Sequence, residues 1–125
     1  MYKIPMDIDW SFLVGGQLTQ LCIGGCDVIL RFDDKISITM MGDDATEDYF
    51  QHKTASPSSS AVKGMPGRAV SLVSLIGATV QKVVAENNTT LAIYLSNAEE
   101  LRIFDTSDSY ESFTVDGAPG GTIVV

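Results

Sequence analysis

Positive charge is scarce in this chain, and so are the residues that carry most reactive chemistry. Lys and Arg number 8 against 16 Asp and Glu, a formal net charge of -8, with a pI near 4.3. A surface of that sign repels phosphate backbones and anionic lipid, which disfavours nucleic acid and membrane as direct partners and draws in a basic protein. Cysteine is limited to Cys22 and Cys26, too few for a disulfide framework. Long apolar runs are missing too. The longest, residues 69–80, is interrupted by Ser71, Ser74, Gly77 and Thr79, and is too short and too polar to span a bilayer. The opening Met1-Tyr2-Lys3-Ile4-Pro5-Met6-Asp7 has no basic region leading into an apolar stretch, so it does not read as a signal peptide. The cytoplasm is the expected location.

The scarcities bear on catalysis. His52 is the only histidine, and it falls within a polar stretch read as a flexible loop, where no frame would hold it for Ser–His–Asp or Cys–His chemistry. Cys22 and Cys26 flank Gly24-Gly25. A two-residue turn there pairs Ile23 with Cys26 and Cys22 with Asp27, which sends the thiols to opposite faces and argues against zinc. The run Asp43-Asp44-Ala45-Thr46-Glu47-Asp48 lacks the alternating carboxylates and turn glycine of a calcium loop. Carboxylate pairs for glycoside chemistry are available by residue type, but the lone Trp10 is thin provision for a sugar cleft. Gly15-Gly16 and Gly24-Gly25 lack the sequence setting of a phosphate cradle. The expectation is a protein that is not an enzyme and holds no cofactor or metal.

What is present is an internal repeat. Over 125 residues, with 45% hydrophobic and 19% charged, one domain with an ordinary core is expected. Residues 13–23 and 75–85 share an aliphatic-aliphatic-Gly start, and later apolar positions keep step: Leu18 with Val80, Leu21 with Val83, Ile23 with Ala85. Val28-Ile29-Leu30-Arg31-Phe32 then aligns with Leu91-Ala92-Ile93-Tyr94-Leu95, and Ile36-Ser37-Ile38 with Leu101-Arg102-Ile103. With the first turn at Gly24-Gly25, Leu21 faces Val28. A three-residue turn at Asp33-Asp34-Lys35 sets Ile36, Ile38 and Met40 opposite Phe32, Leu30 and Val28, whereas a two-residue turn would flip the isoleucines outward. In the second copy, turns at Asn87-Asn88-Thr89 and across residues 96–100 gather Val83, Ala85, Leu91, Ile93, Leu95, Leu101 and Ile103 on one side. Each copy, about 9–41 and 69–105, is thus a three-stranded antiparallel meander with one apolar face. Such faces must pack together or join edge to edge.

Short helices lead into both copies: Asp9 caps a turn with Trp10, Phe12 and Leu13 that Gly15 ends, while Pro66, then Val70, Val73 and Ile76 at helical spacing, precede Gly77. Residues 42–68 read as a long polar loop with a linker-like Ser56-Pro57-Ser58-Ser59-Ser60, and residues 110–125 as a closing hairpin turning at 117–121. The predicted fold is all-β with minor α, two related antiparallel meanders forming a sandwich or partly closed barrel.

A polar turn dense in carboxylates and hydroxyls, Asp105-Thr106-Ser107-Asp108-Ser109-Tyr110-Glu111-Ser112-Phe113, follows the second copy. Tyrosine is a good interface anchor, and flanking carboxylates suit Arg or Lys on a partner. The aliphatic-Gly plan, the Asp105, Asp108, Tyr110, Glu111 and Phe113 signature, and the Gly120-Gly121-Thr122-Ile123-Val124 ending together resemble a bacterial family of small duplicated β-proteins with no assigned function. That resemblance covers most of the chain outside residues 42–68 and implies a compact β-fold with no known reaction. In size and charge the chain also resembles, more loosely, acidic immunity proteins that neutralise toxins of bacterial competition. The expected role is a non-catalytic protein-binding module, an immunity protein against a basic, nuclease-type toxin. Its partner-binding residues are Asp105, Asp108, Tyr110, Glu111, Asp43, Asp44, Glu47 and Asp48. The alternative is a homo-oligomeric structural or regulatory domain, a homodimer for example, burying the second-face residues Ile29, Val84 and Tyr94. A third option is a small-ligand or sugar-phosphate enzyme using Asp or Glu pairs.

Overall fold

The computed structural model of the protein describes residues 2–42, 50–53, 69–105 and 111–125. Its strands are β1 (Leu18–Ile23), β2 (Asp27–Phe32), β3 (Ile36–Met41), β4 (Phe50–Lys53), β5 (Val80–Asn87), β6 (Thr90–Leu95), β7 (Glu100–Phe104), β8 (Phe113–Asp116) and β9 (Ile123–Val124). They form two antiparallel sheets, ordered β1-β2-β3-β8-β9 and β4-β7-β6-β5. The class is all-β with minor helix, as expected, and no closed barrel forms among the described residues. No helix among them is long and apolar enough to cross a membrane.

Alternation decides what each sheet buries. In β2 and β3 the pairs Phe32–Ile36, Leu30–Ile38 and Val28–Met40 stand opposite one another, the register predicted from a turn at Asp33-Asp34-Lys35. Their partners across the core are Leu91, Ile93, Leu95, Leu101 and Ile103 of the second sheet, all in one buried cluster. Each such side chain contributes roughly 1.5–3 kcal/mol relative to exposure. Sheet-on-sheet burial is therefore what hides two faces that neither meander could hide alone.

The first hairpin differs from expectation. Ile23 lies opposite Val28 and Leu21 opposite Leu30, a slide of two residues, so the turn falls at Gly25-Cys26, with the Gly24 N–H donating to the Asp27 carbonyl at 2.8 Å. The physical reason is apolar matching. The expected register set Leu30 against Thr19 and Phe32 against Gln17, whereas the observed one sets Leu30 against Leu21 and Phe32 against Leu18. A bulge between Leu18 and Gln20 makes this consistent, because an extra residue turns Leu18 back towards the core. β5 carries the same bulge between Val80 and Lys82. A slide of two keeps parity, so the faces were assigned correctly although the partners were not. In the second copy the first turn is tighter than expected, two residues rather than three, with Asn87 opposite Thr90.

Both lead-in helices are short 3-10 turns. In the first, Trp10–Leu13, Asp9 accepts from the Ser11 N–H at 2.9 Å, the predicted cap. In the second, Val70–Leu75, a period of three residues per turn separates the faces cleanly. Ala69, Leu72 and Leu75 are buried, whereas Val70, Val73 and Ile76 are 46%, 53% and 46% exposed. The residues picked out by helical spacing are therefore the outward ones. Pro66 lies outside the described residues.

Symmetry between the halves is explicit in the backbone. Gly15 N–H donates to Val80 O and Gly77 N–H to Leu18 O, both at 2.8 Å. Val80 N–H donates to Gly16 O and Leu18 N–H to Ala78 O, at 2.8 and 2.9 Å. Each bond is its counterpart with the halves exchanged, about an isolated bridge between Gln17 and Thr79 that joins the edges of β1 and β5. The halves also trade strands. β4 follows the first meander yet pairs with β7 of the second, and β8 follows the second yet pairs with β3 of the first. Phe50 opposite Ile103 and Phe113 opposite Met40 are again equivalent pairings. Part of the stretch read as a structureless loop over 42–68 is thus a strand. The predicted C-terminal hairpin is present as β8–β9, with Thr114 opposite Val124.

Candidate functional site

The exchange of fourth strands sets the ends of two connecting segments side by side. One crossover leaves β3 at Met41 and lands on β4 at Phe50. The other leaves β7 at Phe104 and lands on β8 at Phe113. Met41 N–H donates to Ser112 O at 2.9 Å, and Phe50 stands opposite Ile103. The two crossovers therefore leave and land beside one another. Asp43, Asp44, Glu47 and Asp48 belong to the first, and Asp105, Asp108, Tyr110 and Glu111 to the second. Asp43, Asp44, Glu47, Asp48, Asp108 and Tyr110 lie outside the described residues. Glu111 is exposed, at the landing of the second crossover.

Asp105 does not face a partner. Its side chain is fully buried, with Oδ1 accepting from Ser112 Oγ at 2.7 Å and Oδ2 accepting from the Lys3 N–H at 3.0 Å, and Lys3 Nζ lies 3.8 Å away. Burial pushes this carboxyl up, but hydrogen bonds, those of Ser112 and Lys3 among them, and nearby positive charge prevail and hold it below its ordinary value. The expectation that Asp105 meets a partner is corrected on this ground. Asp105 ties the base of the second crossover to the N-terminal segment, and a carboxylate sealed by its own chain presents no charge outward.

The outer face of the second sheet has its own cover. Arg102 donates to Glu100 Oε2 at 2.8 Å and, through two nitrogens, to Glu86 Oε1 at 3.1 and 2.8 Å. Those hydrogen bonds, Glu100's first, raise the guanidinium further above its ordinary range. Lys82 Nζ sits 5.8 Å from the centre of the Tyr94 ring. Tyr94, Val84 and, on the first sheet, Ile29 are half-buried. Cys22 pairs with Ile29 rather than Asp27, and Cys26 occupies the exposed turn; both thiols are free.

His52 overturns its own prediction. It is not a solvated loop residue: it lies on β4 opposite Leu101, on the core side, with its side chain only 3% exposed. Its Nε2 is 2.8 Å from Glu99 Oε2 and its Nδ1 is 3.1 Å from Ser71 Oγ. An ionised carboxylate only accepts, so the Nε2 carries the proton. In the neutral ring Nδ1 is then an acceptor, and Ser71 O–H donates to it. Three elements position the trio: β4 carries His52, the turn before β7 carries Glu99, and the second 3-10 helix carries Ser71. A hydroxyl, an imidazole and a carboxylate in this sequence of bonds are the parts of a nucleophile, its base and the group that orients the base. A signal for β4 was in the chain. Phe50-Gln51-His52 stands after the first copy as Phe113-Thr114-Val115 stands after the second, an aromatic followed by one outward and one inward position.

Compared with models of protein families, with curated proteins and with solved structures, the chain matches none.

Proposed function

We propose that this protein is an acidic protein-binding module, an immunity protein that occupies the basic active site of a nuclease-type bacterial toxin. The observation that carries the reading is that two segments rich in carboxylates in the sequence have their ends side by side on both sheets. A net charge of -8 on a chain whose described residues form two sheets over one core supports it. So does the resemblance to acidic immunity proteins in size and charge. Nuclease toxins are positive where they hold phosphate, so carboxylates on an acidic protein complement them and speed encounter. The partner surface in this reading is Glu111 with Asp43, Asp44, Glu47, Asp48, Asp108 and Tyr110, without Asp105.

The test is co-purification with the product of the adjacent upstream gene, alongside survival of cells that express that product. A complex whose association slows as salt rises, and slows again in Glu111→Lys, is the expected result. The absence of both complex and protection ends the reading.

A further inference from the structure

The fold itself shows what the place of His52 needs. In the first sheet the equivalent of His52 is Val115, which stands opposite Ile38 as His52 stands opposite Leu101. The equivalent of Glu99 is Ile36, which closes on Phe32 as Glu99 closes on Leu95; strand pairing thus matches Ile38, not Ile36, with Leu101, two residues from the alignment read in the sequence. Val115 is fully buried, and Ile36 packs against the core. One half of the molecule therefore fills this place with hydrocarbon, and the other with a hydrogen-bonded histidine and carboxylate. Replacing both members of a buried hydrogen-bonded pair by apolar residues of similar shape is often nearly neutral or stabilising, so stability does not account for the polar version.

The second short helix adds a further observation. Its three lines of side chains differ in character: Ala69, Leu72 and Leu75 point into the core, Val70, Val73 and Ile76 stand exposed, and Ser71 and Ser74 run between them. The half-buried Ser71 hydroxyl thus meets the imidazole beside an open apolar strip.

We propose that Ser71, His52 and Glu99 form a second, chemical site that hydrolyses uncharged carboxylic esters bearing an apolar acyl group. Ser71 Oγ attacks the ester carbonyl while its proton passes to His52 Nδ1. The ester C–O bond breaks, and the same proton passes from His52 to the departing alkoxide, giving the alcohol and an acyl-Ser71. Water then attacks the acyl carbon, giving one proton to His52. The Oγ–acyl bond breaks, the carboxylic acid leaves, and His52 returns the proton to Ser71. Glu99 is a positioning residue: it holds the Nε2 proton, so Nδ1 stays free to accept, and it balances the imidazolium that forms. The strip of Val70, Val73 and Ile76 is the surface for the acyl group, and the net charge of -8 disfavours anionic esters.

The test uses the purified full chain, p-nitrophenyl butyrate as substrate, and a serine-directed fluorophosphonate with the labelled residue located by mass spectrometry. Turnover and labelling at Ser71 are expected, both lost in Ser71→Ala. His52→Val with Glu99→Ile, the pair the sister half already uses, is expected to keep the circular dichroism and melting of the parent while losing activity by about a hundredfold or more. Glu99→Gln lowers kcat with KM unchanged, and Glu99→Asp recovers part of the loss. An unlabelled Ser71, or labelling that survives the double variant, overturns the proposal and makes the trio a structural clasp. Ser71→Ala alone decides the matter if the double variant does not fold. None of these readouts involves a toxin partner, so the binding reading stands or falls separately.

Discussion

Asp105 shows how a single carboxylate acts differently inside and outside the fold. Its folded-state value is lowered, against an unfolded carboxylate near 3.9. The stability this contributes is fully present above the unfolded value and is lost as pH falls through the folded one. Asp105→Asn, which leaves the Lys3 N–H and the Ser112 hydroxyl with a weaker acceptor, is expected to cost about 2 kcal/mol at neutral pH. Urea unfolding of both proteins across acidic pH checks the sign: the gap closes towards acid, and a gap that stays constant would show that charge is not the cause. At this scale the sequence was legible in chemistry but not in exposure. The turn at residues 105–113 reads as polar, yet which carboxylate faces inward depends on Lys3, which lies far away in the chain. His52 was misread for a related reason. Its neighbours are polar, and the apolar environment that buries it comes from the other half.

Turns and bulges carry the element scale. Gly15 and Gly77 end the two lead-in helices with φ of 89° and 95°, and an added Cβ at either would meet nothing within 4 Å. Gly117, with φ of 90°, differs: a Cβ there would collide with the Lys35 carbonyl where β8 passes the β2–β3 turn. Alanine at Gly15 or Gly77 is therefore expected to cost about 1 kcal/mol, from backbone strain alone. Alanine at Gly117 is expected to cost clearly more, since strand ends must shift as well. Denaturation midpoints of the three variants give the order, and an equal cost at all three would contradict it. The helix-ending glycines were readable from their place after aliphatic pairs. The bulges at Thr19 and Gln81 were not, because a bulge answers to the partner strand. Val70, Val73 and Ile76 were picked out by spacing, but spacing alone cannot tell the inner line of a three-residue turn from the outer.

At the scale of the whole molecule, the internal repeat reveals the unit but conceals the exchange. Each meander is local, so its strands follow from alternation and turn length. The fourth strand of each sheet comes from the other half, and a segment as short as Phe50–Lys53 has no periodicity strong enough to announce it. This reciprocity has a consequence for folding. A chain of residues 1–68 would hold β1, β2 and β3 without β8, leaving Ile38 and Met40 without Val115 and Phe113 beside them, and would carry β4 with no β7 to pair with. A chain of residues 69–125 would lack Phe50 and the bonds from Gly15 and Gly16 to Val80. Both would also expose the apolar face that the other covers. Neither fragment is expected to unfold cooperatively alone. Mixed in equal amounts they are expected to associate and restore the near-ultraviolet circular dichroism of Trp10, which is buried in the shared core. The full chain is expected to unfold in one transition, because neither sheet is complete without both halves. A cooperative melt from either fragment alone would mean that the exchanged strands are dispensable, and that the two sheets are separate folding units joined by contact only.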